Sequence, residues 1–124
     1  MNNKMVEDVK GWLETVGQTV DHDNEDQRRL YCDLIEEEFG EFMEAFVRGD
    51  KVEELDAVAD LCWVTIGYAL SRGWDLSAAW EEVRNSNYSK FDEEGKAIKN
   101  PITGKVMKGP NFFSPDLRKF VENK

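Results

Sequence analysis

The chain has 124 residues, enough for one ordinary domain built around a single hydrophobic core. Its 26 acidic residues outnumber its 16 basic residues, and the formal charge of -10 argues against a nucleic-acid scaffold, which needs a basic surface to contact phosphates. The charge is uneven: residues 1–85 carry 8 Lys/Arg and 21 Asp/Glu, whereas residues 86–124 carry 8 and 5. An acidic body with a basic tail suits a protein that handles metal ions and phosphates, although solubility alone also explains acidic helices.

Neither a signal peptide nor an apolar run of membrane length is evident, so we expect a cytoplasmic protein without a membrane partner. Cys32 and Cys62 fall in helical patterns without CxxC spacing, which favours reduced, partly buried thiols. A catalytic cysteine is disfavoured because the only histidine, His22, falls in a polar linker.

Apolar residues at helical spacing predict four helices and no convincing strand pair. The first helix covers residues 3–16, and the second covers residues 25–47 before Gly49. Asp23 or Asn24 is the expected N-cap of the second helix, with Gln27 placed three residues after Asn24 as in a capping box.

The third predicted helix covers residues 52–71 before Gly73, and the fourth follows Asp75. After Asn87 the composition changes to Gly, Pro, Lys and Asn, which predicts turns and leaves room for a short hairpin. The expected architecture is therefore all-α: one domain with a four-helix core over residues 1–87 and a mostly irregular basic tail over residues 88–124.

Acidic residues fall inside the apolar faces of the second and third helices. At 100° per residue, Glu38 and Glu41 lie within the apolar arc of the second helix, whereas Glu37 lies at its edge. On the third helix, Glu53, Asp56 and Asp60 share one strip, since they are spaced i, i+3 and i+7.

Buried carboxylates without partners are costly, and few basic residues fall inside these two faces. A divalent cation is the simplest compensation. Oxygen ligands without a nearby histidine favour Mg²⁺ or Mn²⁺ over zinc, and disfavour an oxygen-activating metal site. The competing interpretation is that each acid points into water at the margin of the core.

The segments LIEEEFGEFMEAF and DAVADLCWVTIGYAL resemble the all-α nucleotide pyrophosphohydrolases of the MazG type, whose pattern is EExxE on one helix and ExxD on the next. The stretches at residues 83–96 and 100–117 resemble the tails of small phage-type members. Glu37, Glu38 and Glu41 supply the first motif, whereas Ala57 occupies the glutamate position when Asp60 is taken as the aspartate of the second. Asp56 and Asp60 are therefore interpreted as the acidic pair, with Glu53 as an additional or substitute ligand.

The resemblance implies Mg²⁺-dependent cleavage of a nucleoside triphosphate, of the deoxy series and with a purine such as dGTP among the candidates, to the monophosphate and pyrophosphate. One to three Mg²⁺ ions, with Mn²⁺ as a substitute, would be held by Glu38, Glu41, Asp56 and Asp60. Glu37, Glu38 and Glu41 would supply the catalytic carboxylates. The candidate substrate-binding residues are Asn87, Lys90, Lys105 and Lys108 for phosphate, and Trp12 and Gln18 for the base.

The third helix is apolar on nearly all sides, which predicts a homodimer at least, and a homotetramer as the alternative. Two rival functions remain open. One is phosphoribosyl-ATP pyrophosphohydrolase, from the same superfamily. The other is a non-catalytic helical interaction module, for which we would expect exposed acids and no dependence on metal.

Overall fold

The computed structural model describes residues 3–122, and over this range the protein is helical with no strand, which confirms the predicted all-α class. Four long helices lie close to their predicted bounds, and a short fifth helix in the tail was not predicted. The five helices are α1 (Lys4–Thr15), α2 (Glu25–Arg48), α3 (Lys51–Ser71), α4 (Leu76–Tyr88) and α5 (Arg118–Val121).

Each of the first three helices is preceded by an N-cap residue whose side chain accepts hydrogen bonds from the first turn. Asn3 accepts hydrogen bonds from two backbone amides of α1, Asn24 accepts one from the Gln27 amide, and Asp50 accepts one from the Glu53 amide. Such caps contribute about 1 kcal/mol each, because they satisfy amides that have no partner within the helix. At the other end of α2, Gly49 takes a left-handed conformation with φ 70°, which a glycine adopts without strain.

The expected capping box of α2 forms only in part, because Gln27 serves another purpose. Its side chain is buried, donating to the Thr19 carbonyl (2.7 Å) and the Ser71 hydroxyl (2.8 Å) and accepting from the Thr19 amide (2.7 Å). The Asn24 amide in turn donates to the Ser71 carbonyl (2.8 Å). These bonds fasten the loop after α1 to the end of α3.

The contacts divide the chain into two compact units, with α1 to α3 in the first, up to Leu76, and α4 and the tail in the second, Ser77–Glu122. The boundary between the two units falls one residue after the start of α4. In the first unit, α2 packs against α3, and the two-residue connection makes this pair antiparallel. Its buried core draws on all three helices: Val6, Val9, Leu13, Tyr31, Val64, Ile66 and Leu70.

Tyr31 and Gly67 form the tightest contact between α2 and α3. The Tyr31 ring lies where a Cβ at residue 67 would stand, so only glycine fits there. The Tyr31 hydroxyl donates to the side-chain oxygen of Gln18 (2.6 Å), and burial raises the pKa of Tyr31. The position of the Tyr31 ring thus depends on the missing side chain at Gly67 of α3 and on the hydrogen bond to Gln18 in the loop after α1.

Much of the apolar surface expected in the core is exposed in the single chain. Val47, Val52 and Leu55 expose 79%, 78% and 71% of their surface, and Phe39 and Phe46 are also exposed. For α3 this agrees with the expectation that its apolar faces cannot all be covered within one copy of the chain, since Val52 and Leu55 both belong to α3.

Both cysteines are free and exposed, which corrects the expectation of partly buried thiols. Over residues 3–122, no helix combines the length and apolar character required to cross a bilayer. In the second unit, Lys99 and Val106 pair in one antiparallel bridge, so the hairpin left open by the sequence is present as a single contact.

Candidate active site

Carboxylates from α2 and α3 meet between the two helices. Glu38 is half-buried, and its Oε2 atom is buried with no hydrogen-bond partner in the described part of the chain. Glu41 is exposed, which corrects the expectation that it is aimed at the core, yet it interacts with both Glu38 and Asp60. The antiparallel packing of α2 on α3 thus brings acids about 20 residues apart in sequence into one place.

Electrostatic coupling shows which acids belong together. Burial raises the pKa of Glu38 to about 7, aided by a hydrogen-bonding contact and repulsion from Glu41, then by repulsion from Asp60 and Glu37. Burial also raises the pKa of Asp60, with further contributions from Asp56 and then Glu41. We call Glu37, Glu38, Glu41, Asp56 and Asp60 the acid cluster. Each member affects at least one other, so adding negative charge to the whole set is unfavourable.

The acid cluster fits a divalent cation in charge and in donor type. Among residues 3–122, no ion pair involves any member of the cluster, and Glu38 carries an unpartnered buried oxygen. A donor set made only of carboxylate oxygens suits Mg²⁺ or Mn²⁺. Within the described residues, no group of three or more ligating side chains already has an arrangement that could hold a metal ion. The carboxylates would therefore have to turn toward a bound ion.

The geometry also distinguishes the two possible registers of the second motif. Ala57, which replaces the motif glutamate, is buried, with 2% of its surface exposed. Glu53 is exposed, and it is not among the principal charges that raise the pKa of Glu38 or Asp60. Asp60 is therefore the α3 acid that interacts with Glu38 and Glu41, and Asp56 interacts with Asp60 on the same helix.

In the second unit, the fold gathers three of the four predicted phosphate-binding residues. The Lys90 amide donates to the Asn87 carbonyl (3.2 Å) at the end of α4, and the backbone at Gly109 lies against the Lys90 carbonyl. Lys108, the residue before Gly109, is consequently held near Lys90. Lys105 lies exposed at the base of the hairpin turn, where its carbonyl accepts from the Asn100 amide (2.8 Å).

The two glycines expected to let the backbone approach a phosphate have other roles in this fold. Gly104 has φ 74° in the hairpin turn, a conformation that favours glycine. Gly109 makes room for the Lys90 and Phe91 carbonyls of its own chain. Both glycines therefore shape the tail itself.

The residues predicted to recognise the base lie in the first unit. Trp12 is about half exposed and packs edge-on against Trp63, with 6.0 Å between ring centroids. The side-chain oxygen of Gln18 is engaged by the Tyr31 hydroxyl. Trp12 thus keeps about half of its surface accessible, whereas the Gln18 side chain is a hydrogen-bond partner of Tyr31.

Sequence reasoning missed Ser86 and Ser89, which bind the tail to α4. The Ser86 hydroxyl donates to the Phe113 carbonyl (2.8 Å), and the Ser89 hydroxyl accepts from the Phe113 amide (3.1 Å). Two serines at i and i+3 near a helix end carry no signal that separates them from ordinary solvated residues. Only the folded tail reveals their purpose.

An all-helical chain whose paired helices bring acidic residues together has the features of an all-α nucleotide pyrophosphohydrolase. The family model for phosphoribosyl-ATP pyrophosphohydrolase matches residues 14–87, more than half of the sequence, and the chain belongs to that family. This family lies within the MazG-like superfamily, so the resemblance noted from the motifs is confirmed. Membership implies a pyrophosphohydrolase, a hydrolase of acid anhydrides, acting on nucleotide-like substrates. Comparison with curated proteins gave no match.

Proposed function

We propose that the protein hydrolyses a nucleoside triphosphate, of the deoxy series, to the monophosphate and pyrophosphate in a Mg²⁺-dependent reaction that controls nucleotide pools. The observation that carries this proposal is the acid cluster with its unpartnered, buried Glu38 oxygen. Repulsion among the five carboxylates is unfavourable when nothing is bound, whereas a bound cation would compensate it.

Glu38, Glu41, Asp56 and Asp60 would hold the ions, with one to three Mg²⁺ or Mn²⁺ per site, and Glu53 is an exposed reserve ligand. When bound, the ions would neutralise the carboxylates and the phosphates and favour ionisation of the attacking water. The Glu38 pKa of about 7 means that cation binding must displace a proton near neutral pH.

Glu37 is the carboxylate best suited to take the proton of the attacking water. It is exposed on α2, one residue from Glu38, whose pKa its charge helps to raise. The water oxygen forms a bond to the α-phosphorus while the bond from that phosphorus to the oxygen bridging to the β-phosphate breaks. Pyrophosphate leaves, and the proton resides on the Glu37 carboxylate until solvent takes it.

We assign the outer phosphates to Asn87, Lys90, Lys105 and Lys108. In a chain with a formal charge of -10, a polyphosphate needs cationic partners to offset repulsion. Trp12, half exposed, is the proposed stacking residue for the base, and Gln18 is the proposed polar neighbour.

The second candidate function is hydrolysis of phosphoribosyl-ATP, favoured by the family model that matches residues 14–87. The same carboxylates would serve both reactions, because each breaks a bond between α- and β-phosphates. The two candidates differ only in what binds beyond the phosphates.

The test is pyrophosphate release from all eight common NTPs and dNTPs and from phosphoribosyl-ATP, each with Mg²⁺, Mn²⁺ or EDTA. We expect metal-dependent release with a deoxynucleotide ranked first. A strong preference for phosphoribosyl-ATP would replace the first proposal with the second. A folded protein that releases no pyrophosphate from any of them would contradict both and favour a non-catalytic helical module.

We further propose that the protein works as a homodimer or homotetramer. The exposed apolar residues of α2 and α3, among them Phe46, Val47, Val52 and Leu55, form a surface that a second copy would cover. No nucleic-acid or membrane partner is proposed, because the helical body is strongly acidic.

A further inference from the structure

Two serines at the end of α4 hold one residue of the tail from both sides. Ser86, only 3% exposed, donates its hydroxyl to the Phe113 carbonyl (2.8 Å). One turn later, the Ser89 hydroxyl accepts from the Phe113 amide (3.1 Å) and donates to the Ser86 carbonyl (2.6 Å). Both backbone groups of Phe113 are thus satisfied by Ser86 of α4 and by Ser89, the residue after its end, and we call this set of bonds the serine seam.

Gly109 anchors the tail a second time. A Cβ at this position would collide with the Lys90 carbonyl oxygen and lie 3.0 Å from the Phe91 carbonyl oxygen. Its φ lies outside the left-handed region, so glycine is required here for space alone. The backbone after Lys108 therefore runs directly against the backbone of Lys90.

The segment between the two anchors also restrains Lys108. Its ammonium lies over the Phe112 ring, 4.8 Å from the centroid, and Phe112 precedes the residue held by the serine seam. A cation–π contact at an exposed site is a modest but directional restraint. Gly109 and the serine seam thus bracket the segment that positions Lys108 beside Lys90.

We propose that Ser86, Ser89 and Gly109 are positioning residues for a pair of phosphate-binding lysines, Lys90 and Lys108. This proposal rests on the proposed function for the identity of the ligand, a polyphosphate. Because the backbone after Lys108 already lies against the Lys90 carbonyl, less chain has to be ordered when both lysines bind one polyphosphate, which lowers the cost of binding. The competing interpretation is that the seam only stabilises the tail.

A double-mutant cycle distinguishes these two roles. Ser86→Ala removes a seam bond and Gly109→Ala pushes the tail off Lys90, whereas Ser114→Ala alters an exposed tail serine and is the matched control. The measurements are kcat and KM for the best triphosphate and the Kd of inorganic pyrophosphate with Mg²⁺ by calorimetry. Each seam variant is measured alone and together with Lys108→Ala.

We expect Ser86→Ala and Gly109→Ala to raise KM and the pyrophosphate Kd about tenfold with little change in kcat, because uniform phosphate binding is lost. In the Lys108→Ala background the same changes should have almost no further effect, since residues that act through one another are not additive. Ser114→Ala should match the wild type.

Full additivity with Lys108→Ala, or seam variants that bind pyrophosphate like the wild type, would overturn the positioning role while the proposed function stands. If the wild type cleaves no nucleotide but binds pyrophosphate through Lys108, the proposed function fails. The double-mutant cycle measured on the Kd of pyrophosphate then still tests whether the serine seam positions Lys108. Pyrophosphate binding that Lys108→Ala leaves unchanged would also reject the inference.

Discussion

At the scale of single residues, Glu38 is the most constrained carboxylate of the chain. Its Oε2 atom is buried without a hydrogen-bond partner. The acids Glu41, Asp60 and Glu37 help to raise its pKa, and Asp56 helps to raise the pKa of Asp60. A stable fold does not gain from such a group unless a ligand compensates it. A substitution of Glu38 should therefore lower activity without lowering the stability of the fold.

Glu38→Gln should lower turnover on the order of 100-fold or more, because it removes a charged ligand while keeping the shape of the side chain. Glu41→Gln should act in the same direction. Turnover is measured as pyrophosphate release, and circular dichroism checks that helical content is unchanged. Glu36→Gln, an exposed glutamate of the same helix, is the control and should stay active. Full activity in both cluster variants would exclude the proposed metal site.

The raised pKa of Glu38 predicts how the stability of the metal-free protein depends on pH. The carboxyl has a pKa of about 7 in the fold against 4.5 when unperturbed, so the folded state binds a proton more tightly. That stabilisation is complete below pH 4.5 and is lost as pH rises through 7. In EDTA, the Tm should therefore rise as pH falls from 8 toward 5.

Glu38→Gln isolates this contribution, since the variant cannot titrate at that position. The difference in Tm between variant and wild type should be largest at pH 8 and shrink toward pH 5. Mg²⁺ should oppose the trend, because it binds the deprotonated cluster and stabilises the wild type most at high pH. A difference in Tm that does not change with pH would contradict the assignment.

At the scale of helices, the packing of α2 on α3 depends on the absence of a side chain at Gly67. Gly67→Ala would place a methyl group in the ring of Tyr31, which is 2% exposed and cannot swing aside without leaving Gln18. We expect a loss of about 1–3 kcal/mol in the free energy of unfolding, measured by urea denaturation, as is usual for overpacked cores.

Gly11→Ala is the matched control, since Gly11 also lies inside a helix but its Cβ would meet nothing within 4 Å. There, alanine should stabilise the protein by up to about 1 kcal/mol through helix propensity. Equal effects of the two changes would mean that propensity outweighs the contact with Tyr31.

At the scale of the whole molecule, the exposed apolar residues of α2 and α3 predict self-association. Leu55→Glu, at a position 71% exposed in the single chain, should shift the protein toward monomer, because a buried charge at an interface is costly. The mass in solution, measured by light scattering over a range of concentrations, checks this. Ile102→Glu, at an apolar position 92% exposed in the tail, is the control and should leave the mass unchanged. A wild type that is monomeric at every concentration would contradict the proposal.

Local signals in the sequence were sufficient for the four long helices and for both ends of α2. Asn24 and Gly49 act within one turn of the residues they cap or terminate, so their effect is readable without the fold, whereas the caps Asn3 and Asp50 were not predicted. The motif acids were also found, because helical periodicity places Glu38 against the core and puts Asp56 and Asp60 on one strip. The role of Gln27 was misjudged, since its partners Thr19 and Ser71 are 8 and 44 residues away.

The sequence by itself thus determined the helical class, the acidic motifs and the family to which they belong, because these depend on composition and on spacing within one element. Only the tertiary structure decided which acids interact between the helices, with Asp60 of α3 acting on Glu38 and Glu41 acting on both. It also decided that Gly109 packs on Lys90 and that two serines hold Phe113. The physical reason is that burial and pairing arise between distant segments, and periodicity gives the direction of a side chain without naming what it meets.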